Sequence, residues 1–441
     1  MLERIFHLKE SNTSILTEFD AGLATFMTMS YIIFVNPMIL STTGMDKASV
    51  MVATCLSAAV ATIIMGIYAN YPIALAPGMG INAYFAFMAV PFVQKRLIEL
   101  GISDMHNAWH IGLTAVLISG VIFLIFTLFN IREMLMYSIP DSIKYGIASG
   151  IGIMIAFLGF IDAGLIKSDP ATMVTIGDIT GFKAIASMLG LFLIAILLTK
   201  KIKGAILISI FFVSFLGIVF DQAEIPEKLI AMPDISPTFF KFDFAGLYKV
   251  GIIDVVFVFL FMDLLDTLGS VIGIGEQGGF IKNNKFPRVN RVMTADAAGT
   301  VIGAFTGTST VTTYIESSAG VAEGGKTGLV SIFVAIFFLV AIFFSPVISI
   351  LPDYAAAPAL IVVGSFMIST LRKIKWEDPT ESIPAFLVMI GIPLTFSIAN
   401  GIAMGFISFC LIKLFTGKIK DIKPLTAILT ILLLIKFIFI G

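Results

Sequence analysis

Carboxylic acids inside the apolar stretches of this 441-residue chain are few, and three stand out: Asp263, Asp266 and Glu316. The first two lie three residues apart in Phe261-Met262-Asp263-Leu264-Leu265-Asp266-Thr267-Leu268-Gly269-Ser270, so the spacing predicts that they share a helix face. A carboxylate in a hydrocarbon layer costs at least a few kcal/mol, so each is a functional candidate by default. Burial favours the neutral form of a carboxyl group, which lets such an acid exchange a proton near neutral pH. The plainer reading is an acid that only hydrogen-bonds a neighbouring helix. It has most force for Asp263.

Two other stretches break the helical pattern where a span is expected. One is Ala76-Pro77-Gly78-Met79-Gly80-Ile81-Asn82, followed by Tyr84; the other is Gly307-Thr308-Ser309-Thr310-Val311-Thr312-Thr313-Tyr314-Ile315-Glu316. Irregular backbone at membrane depth survives only where protein or a cavity satisfies its N–H and C=O groups. Gly78 and Gly80 permit close backbone approach. Asn82 and Thr308 to Thr313 supply donors and acceptors, and a half-helix N-terminus can bind polar groups. Either stretch alone could be a proline kink with small-residue packing. Two in matched places point to a transporter site. Tyr84 and Tyr314 could stack on a flat ligand or simply pack.

The elements that must position these residues follow from composition. The chain is 58% apolar and only 13% charged, with mean hydropathy +1.02, against roughly 25% charged residues in a soluble domain. Apolar runs of about 20 residues recur throughout, which predicts an all-α polytopic membrane protein rather than a barrel. Net charge of −1 implies no nucleic-acid partner. Cys55 and Cys410 lie in apolar runs and read as small hydrophobes. His7, His106 and His110 form no metal pattern, and no cofactor or nucleophile–base pair is visible, so no enzyme is expected. Met1 to Asp20 is polar and reads as no cleavable signal. Gly324-Gly325-Lys326-Thr327-Gly328 falls short of a phosphate loop, lacking the full motif and a preceding strand.

The pattern predicts spans at 18–40, 49–69, 73–91, 107–129, 142–161, 181–199 and 202–220, then a polar stretch at 221–249. A second set follows at 250–275, 291–305, 309–324, 327–350, 355–370, 382–398 and 400–416. Short likenesses recur in the same order: Ile139-Pro140-Asp141 with Leu351-Pro352-Asp353, and Lys203-Gly204-Ala205-Ile206 with Asn400-Gly401-Ile402-Ala403. The broken stretches are third in each set. An odd number of spans per repeat makes the second repeat inverted. The expected divisions are a cytoplasmic N-terminus at 1–17, repeats at 18–220 and 250–416, an extracytoplasmic linker at 221–249, and a basic C-terminal segment at 417–441 holding a further apolar stretch at 425–440. With the N-terminus inside, inner loops hold Arg4, Lys9, Arg132, Lys200, Lys201, Lys203, Lys282, Lys285, Arg288, Arg372, Lys373, Lys375, Lys418, Lys420 and Lys423. Outer loops hold Lys47, Lys95, Arg96, Lys167, Lys228 and Lys241 and a few others, diluted by Asp221, Glu224, Glu227 and Asp234. Cationic excess in short loops favours that orientation.

At these residues the chain resembles a known family. The run from Ala21-Gly22-Leu23-Ala24-Thr25-Phe26 to Tyr31 and Asn36-Pro37 closely resembles the first span of the adenine/guanine/hypoxanthine permeases, the azaguanine-resistance branch of the nucleobase–cation symporter (xanthine/uracil permease) family. Ala74 to Phe85, Asp266-Thr267-Leu268-Gly269, Thr312 to Ser317, Thr327-Gly328, and Ile392-Pro393-Leu394-Thr395-Phe396-Ser397-Ile398-Ala399-Asn400-Gly401 are similar to its other signatures. The resemblance implies a uracil-permease-like fold of fourteen segments in two inverted sevens. Spans 1–4 and 8–11 would form a core and 5–7 and 12–14 a gate, with a short strand in spans 3 and 10. It implies that Asp266 and Glu316 hydrogen-bond the base, with Tyr314 nearby. Thr25, Thr267 and Ser317, inside the matching motifs, join Gly78, Asn82 and Thr308 in the expected site. Glu316, Asp266 or Asp263 would carry a coupling proton. Ser270 stands where a uracil permease carries histidine, so a relay through that group is not expected, and Ser317 stands where other branches carry asparagine.

The function expected is import of a purine nucleobase by proton symport across the cell membrane, with the lipid bilayer as surroundings and a homodimer as one expected assembly. The alternative is a same-fold carrier of uracil, xanthine or an inorganic anion, or one coupled to sodium. Two acids in the site oppose an anion, and no ring of like charges suggests a channel.

Overall fold

The long apolar runs become helices whose exposed faces are themselves apolar. In a computed structural model, residues 2–102, 108–129, 139–223, 228–251, 253–281, 286–349 and 351–439 are described; His106, Arg132, Glu224, Glu227, Lys282 and Lys285 lie outside them. Along the helix Phe182–Thr199, Ile185, Met188, Leu189, Phe192 and Ile196 face outward, while Ala184, Ser187, Gly190 and Ile194 are buried. That pattern is reversed from a water-soluble helix and fits a lipid-facing one. Among the described residues, eight helices are long and apolar enough to cross a membrane.

In chain order the elements used below are α1 (Ile15–Met29), α2 (Ile32–Ser41), α3 (Lys47–Ile64), β1 (Leu75–Pro77), α4 (Met79–Tyr84), α5 (Ala108–Leu128), α6 (Asp141–Asp162), β2 (Ile166–Asp169), β3 (Met173–Ile176), α7 (Phe182–Thr199), α8 (Ala205–Val219), α9 (Ile253–Gln277), α10 (Val289–Thr306), β4 (Val311–Thr313), α11 (Ser317–Ala322), α12 (Gly328–Ala341), α13 (Asp353–Ile368), α14 (Pro379–Thr395), α15 (Ile398–Phe415) and α16 (Pro424–Phe439). The hairpin β2–β3 falls where the sequence pattern showed only a connection; it is mostly exposed and lies between α6 and α7.

Contacts divide the chain into two units. The first comprises Met1–Phe129 and Asp162–Ala359; the second comprises Asn130–Ile161 and Leu360–Gly441. Helices α7 and α8 belong to the first unit.

At the centre of the first unit, β1 and β4 pair antiparallel, with Leu75 opposite Thr313, Ala76 opposite Thr312 and Pro77 opposite Val311. Gly78 N–H donates to Thr310 O (3.0 Å) and Tyr314 N–H to Ala74 O (3.0 Å), extending the ladder at both ends. Two short strands leave outer edges that lipid could not satisfy. Threonines on the flanking helices cover them. Thr62 of α3 accepts from Leu75 N–H (2.9 Å) and donates to Leu75 O (3.1 Å), and Thr300 of α10 donates to Val311 O (3.1 Å). Small residues bring those helices close enough. A methyl on Gly299 would lie 3.2 Å from Val311 Cγ1, and one on Gly303 would lie 2.5 Å from Ser309 O.

Close packing also fixes α12. A methyl on Gly328 would lie 1.9 Å from Gly66 O, and the left-handed Asn70 (φ 51°) turns the chain there while its Oδ1 accepts from Gly328 N–H (2.7 Å). The phosphate-loop-like run before α12 has its donors engaged internally. The fully buried Glu18 of α1 accepts from Lys326 N–H (3.0 Å), Thr327 N–H (3.1 Å) and the Thr327 hydroxyl (2.7 Å). A carboxylate at a helix N-terminus opposes the helix dipole favourably.

In the second unit, Gly146 and Gly150 of α6 meet the α14 backbone. Methyls there would lie 2.7 Å from Ala385 O and 3.0 Å from Met389 O. On α15, the buried Lys413 pairs with Glu381 (2.7 Å) and Asp421 (3.1 Å), and the Ser142 hydroxyl donates to Glu381 (2.6 Å). A buried cation needs such partners, since its desolvation is otherwise uncompensated.

Candidate functional site

The expected site residues all fall in the first unit, around the β1–β4 ladder and the helix α9. Along α9, the side chains of Asp263, Thr267 and Ser270 recur at helical spacing and turn inward. Asp263 Oδ2 lies 3.1 Å from the Thr300 hydroxyl; the Thr267 hydroxyl meets Thr312 Oγ1 (2.9 Å) and donates to Asp296 Oδ1 (2.8 Å); the Ser270 hydroxyl meets Thr313 Oγ1 (2.6 Å). Asp263 is buried at 1% exposure.

Asp266 behaves differently. It lies midway along a 25-residue helix, yet it is exposed, as is Gly269 one turn on. A methyl on Gly269 would meet nothing within 4 Å. Asp263 and Asp266 therefore do not work as a matched pair on one face. Three residues leave an offset of about 60° around a helix, enough here to bury one acid and open the other.

Gly78 lies against Asp266. A methyl in place of its hydrogen would be 3.2 Å from Asp266 Oδ2 and 2.8 Å from Thr312 Cγ2. Its N–H already donates to Thr310 O, and Thr308 N–H donates to Gly303 O (2.9 Å). Neither backbone N–H is left to read a ligand edge; the buried glycine lets the end of β1 pack closely on Thr312 and Asp266.

Glu316, at the start of α11, is half-buried, and the Tyr31 hydroxyl donates to its Oε1 at 2.6 Å. Tyr314 is buried and donates to Pro77 O (2.6 Å), which ties it to the end of β1. Ser317 Oγ accepts from Ala74 N–H (3.0 Å) at the other end. Asn82 accepts from the Ser309 hydroxyl, and Thr308 Oγ1 accepts from Asn36 (2.9 Å). Thr25 is wholly buried, its hydroxyl without a hydrogen-bond partner, close against Gly320. Asp266 and Glu316 thus keep accessible surface, while Thr25, Asn82, Thr267, Thr308 and Ser317 are buried in the scaffold behind them.

Four residues escaped the sequence reading as site residues: Tyr31, Asn36, Asp296 and Glu18. Tyr31 and Asn36 stood inside a recognised motif. Asp296 is an acid amid small residues in Thr294-Ala295-Asp296-Ala297-Ala298-Gly299, which is itself a signal. Glu18 sits at the start of a span, where an acid looks ordinary. Among the described residues, no group of three His, Cys, Asp or Glu could hold a metal.

Broken helices around a central ladder, with an accessible acid deep in the fold, define a multi-pass membrane transporter. The family model described as the permease family (Xan_ur_permease) matches residues 17–435, and the chain belongs to that family. Among its relatives, it is 46% identical to the putative permease MJ0326 of Methanocaldococcus jannaschii over 100% of this chain and 99% of that protein. It is 42% identical to the adenine permease AdeP of Escherichia coli (100% and 97%) and 41% identical to the guanine/hypoxanthine permease PbuO of Bacillus subtilis (98% and 99%). These relatives are transporters, not enzymes. Among solved structures, the transmembrane domain of the cyanobacterial bicarbonate transporter BicA superposes with TM-score 0.64 at 15% identity, covering 88% of this chain and 96% of that one. SLC26A9 gives 0.63 at 10% identity, covering 90% and 65%. At such identities the likeness is one of fold.

Proposed function

We propose that this permease imports a purine nucleobase (adenine, guanine or hypoxanthine) by proton symport. The observation that carries the reading is the open carboxylate of Asp266 beside Gly78, in a chain similar over its whole length to adenine and guanine/hypoxanthine permeases. A purine presents a flat face and an edge of N–H donors and lone-pair acceptors. Asp266 and Glu316 would accept its N–H groups. The Tyr31 hydroxyl would hold Glu316 in place, and the open space at Gly269 would admit the ring.

Proton counting supports Asp263 as a coupling site beside Asp266 and Glu316. Thr300 has one hydroxyl proton but two acceptors at 3.1 Å, Val311 O and Asp263 Oδ2. With Asp263 protonated, its O–H donates to Thr300 and Thr300 donates to Val311 O, so both bonds are made. Ionised, Asp263 competes with the strand carbonyl for one proton.

Fourteen spans in two inverted repeats, a cytoplasmic N-terminus and residence in the cell membrane belong to the same reading; the pairing of β1 with β4, third in each set, supports the repeats. The second reading, an inorganic anion as cargo, draws on the anion carriers among the fold neighbours. The two site acids weigh against it. Competition decides: uptake of labelled adenine should be suppressed by unlabelled purines and unaffected by sulfate or bicarbonate. Suppression by the anions and not by purines would reverse the assignment.

A further inference from the structure

One end of the second unit holds a cavity of about 260 Å³ that the transport reading leaves unused. It gathers the start of α6, the chain following α13, the start of α14, the end of α15 and the segment before α16. Consecutive antiparallel spans place these ends together at one membrane face.

The charges around it are arranged unequally. Three acids line it, and each is countered from behind by a lysine outside the lining: Glu381 and Asp421 by the buried Lys413, and Asp141 by Lys144 (2.8 Å). Three further lysines, Lys373, Lys375 and Lys423, line the cavity and are exposed. Five lysines thus meet three acids, an excess of two positive charges. Lys373 and Lys375 make no ion pair among the described residues; the Lys373 ammonium lies 5.9 Å over the Tyr145 ring. The ion-paired floor is built, because Lys413 is 3% exposed and the Ser142 hydroxyl fixes Glu381 from beneath. The wall above it is cationic and open. Trp376, next in sequence to the lining Lys375, is exposed, as expected of a residue at a headgroup layer.

We propose that this cavity binds a phosphate-bearing anion, held by Lys373, Lys375 and Lys423. Ammonium groups on flexible stems are point-charge phosphate ligands and tolerate a headgroup or a free phosphate alike. Lys413 and Lys144 offset two of the three acid charges, which lessens the repulsion that three bare acids would impose, and the three lining lysines outweigh the charge that is left.

The test uses the full chain in phosphatidylcholine nanodiscs. Inorganic pyrophosphate is titrated by calorimetry in one arm. In the other, retention of phosphatidylglycerol is read by native mass spectrometry. At least one probe should bind, less tightly as salt rises. Lys373→Gln with Lys375→Gln should weaken it by about tenfold per lysine, while Lys200→Gln with Lys201→Gln, in the first unit, should not. Phosphatidylglycerol alone would assign a lipid headgroup; pyrophosphate, alone or as well, would assign a soluble phosphate. Binding of neither probe, or equal binding by the two double variants, would overturn the proposal. If the first double variant is not monodisperse, Lys423→Gln gives the same reading.

Discussion

In the proposed site, Tyr31 would hold Glu316 and Asp266 would bind the base. Tyr31 gives its only hydroxyl proton to Glu316, so Tyr31→Phe removes one charge-assisted hydrogen bond and little volume. Such a bond is worth about 1.5–3 kcal/mol, and the variant should insert normally while kcat/KM for uptake falls roughly tenfold or more. Asp266 is open rather than partnered, and Asp266→Asn should abolish uptake while leaving membrane insertion intact; a well-expressed variant that transports normally would remove its assigned role. Residue type and position made Asp266 and Glu316 legible in the sequence, because acids are costly in an apolar layer. Which acid was open was not legible: Asp263 and Asp266 differ by a helix rotation that only the neighbouring threonines reveal. Tyr31 was hidden because an aromatic near a span end has many ordinary uses.

At the scale of elements, two glycines make opposite predictions. Gly328 is pressed on Gly66 O in the turn Met65–Ala69 that follows α3, so Gly328→Ala must displace α12 from that turn and should sharply lower thermal stability in detergent, consistent with overpacking costs of about 1–3 kcal/mol or more. Gly269 has open space, and alanine favours a helix by about 1 kcal/mol over glycine. Gly269→Ala should therefore fold as well as the parent and still transport less, because its methyl enters the space beside Asp266. Asp378, the N-cap of α14, offers a pH test. Bonds from the Thr380 hydroxyl, Thr380 N–H and Lys418 pull its carboxyl down from 3.8 to about 2. Because the folded value is the lower one, its stabilisation is present above about pH 4 and is lost as pH falls towards about 2. Asp378→Ala should be less thermostable than the parent at pH 7, with the gap narrowing over that acid range. The two ladder strands were legible as interruptions from their Gly, Pro and Thr content. Their pairing to each other was not, since three residues carry no period that specifies a distant partner.

Across the whole molecule, composition alone required a multi-pass membrane protein, and the long motifs pointed to the family that the matched residues 17–435 establish. The grouping of α7 and α8 with the first unit was not legible, because lipid-facing helices share one apolar signature whichever body they pack on. Their inner faces decide: Gly190 and Ser209 bring α7 and α8 together, and Tyr354 at the start of α13 accepts the Ser187 hydroxyl on its carbonyl (3.0 Å). The central claim at this scale is that purine import draws on the proton gradient. The direct measurement is uptake of radiolabelled adenine, guanine, hypoxanthine and uracil in cells lacking their own permeases, with and without a protonophore. The account predicts uptake of at least one purine that collapses when the gradient is dissipated. Absence of any purine uptake by protein shown to be in the membrane, or purine uptake indifferent to the protonophore, would contradict it.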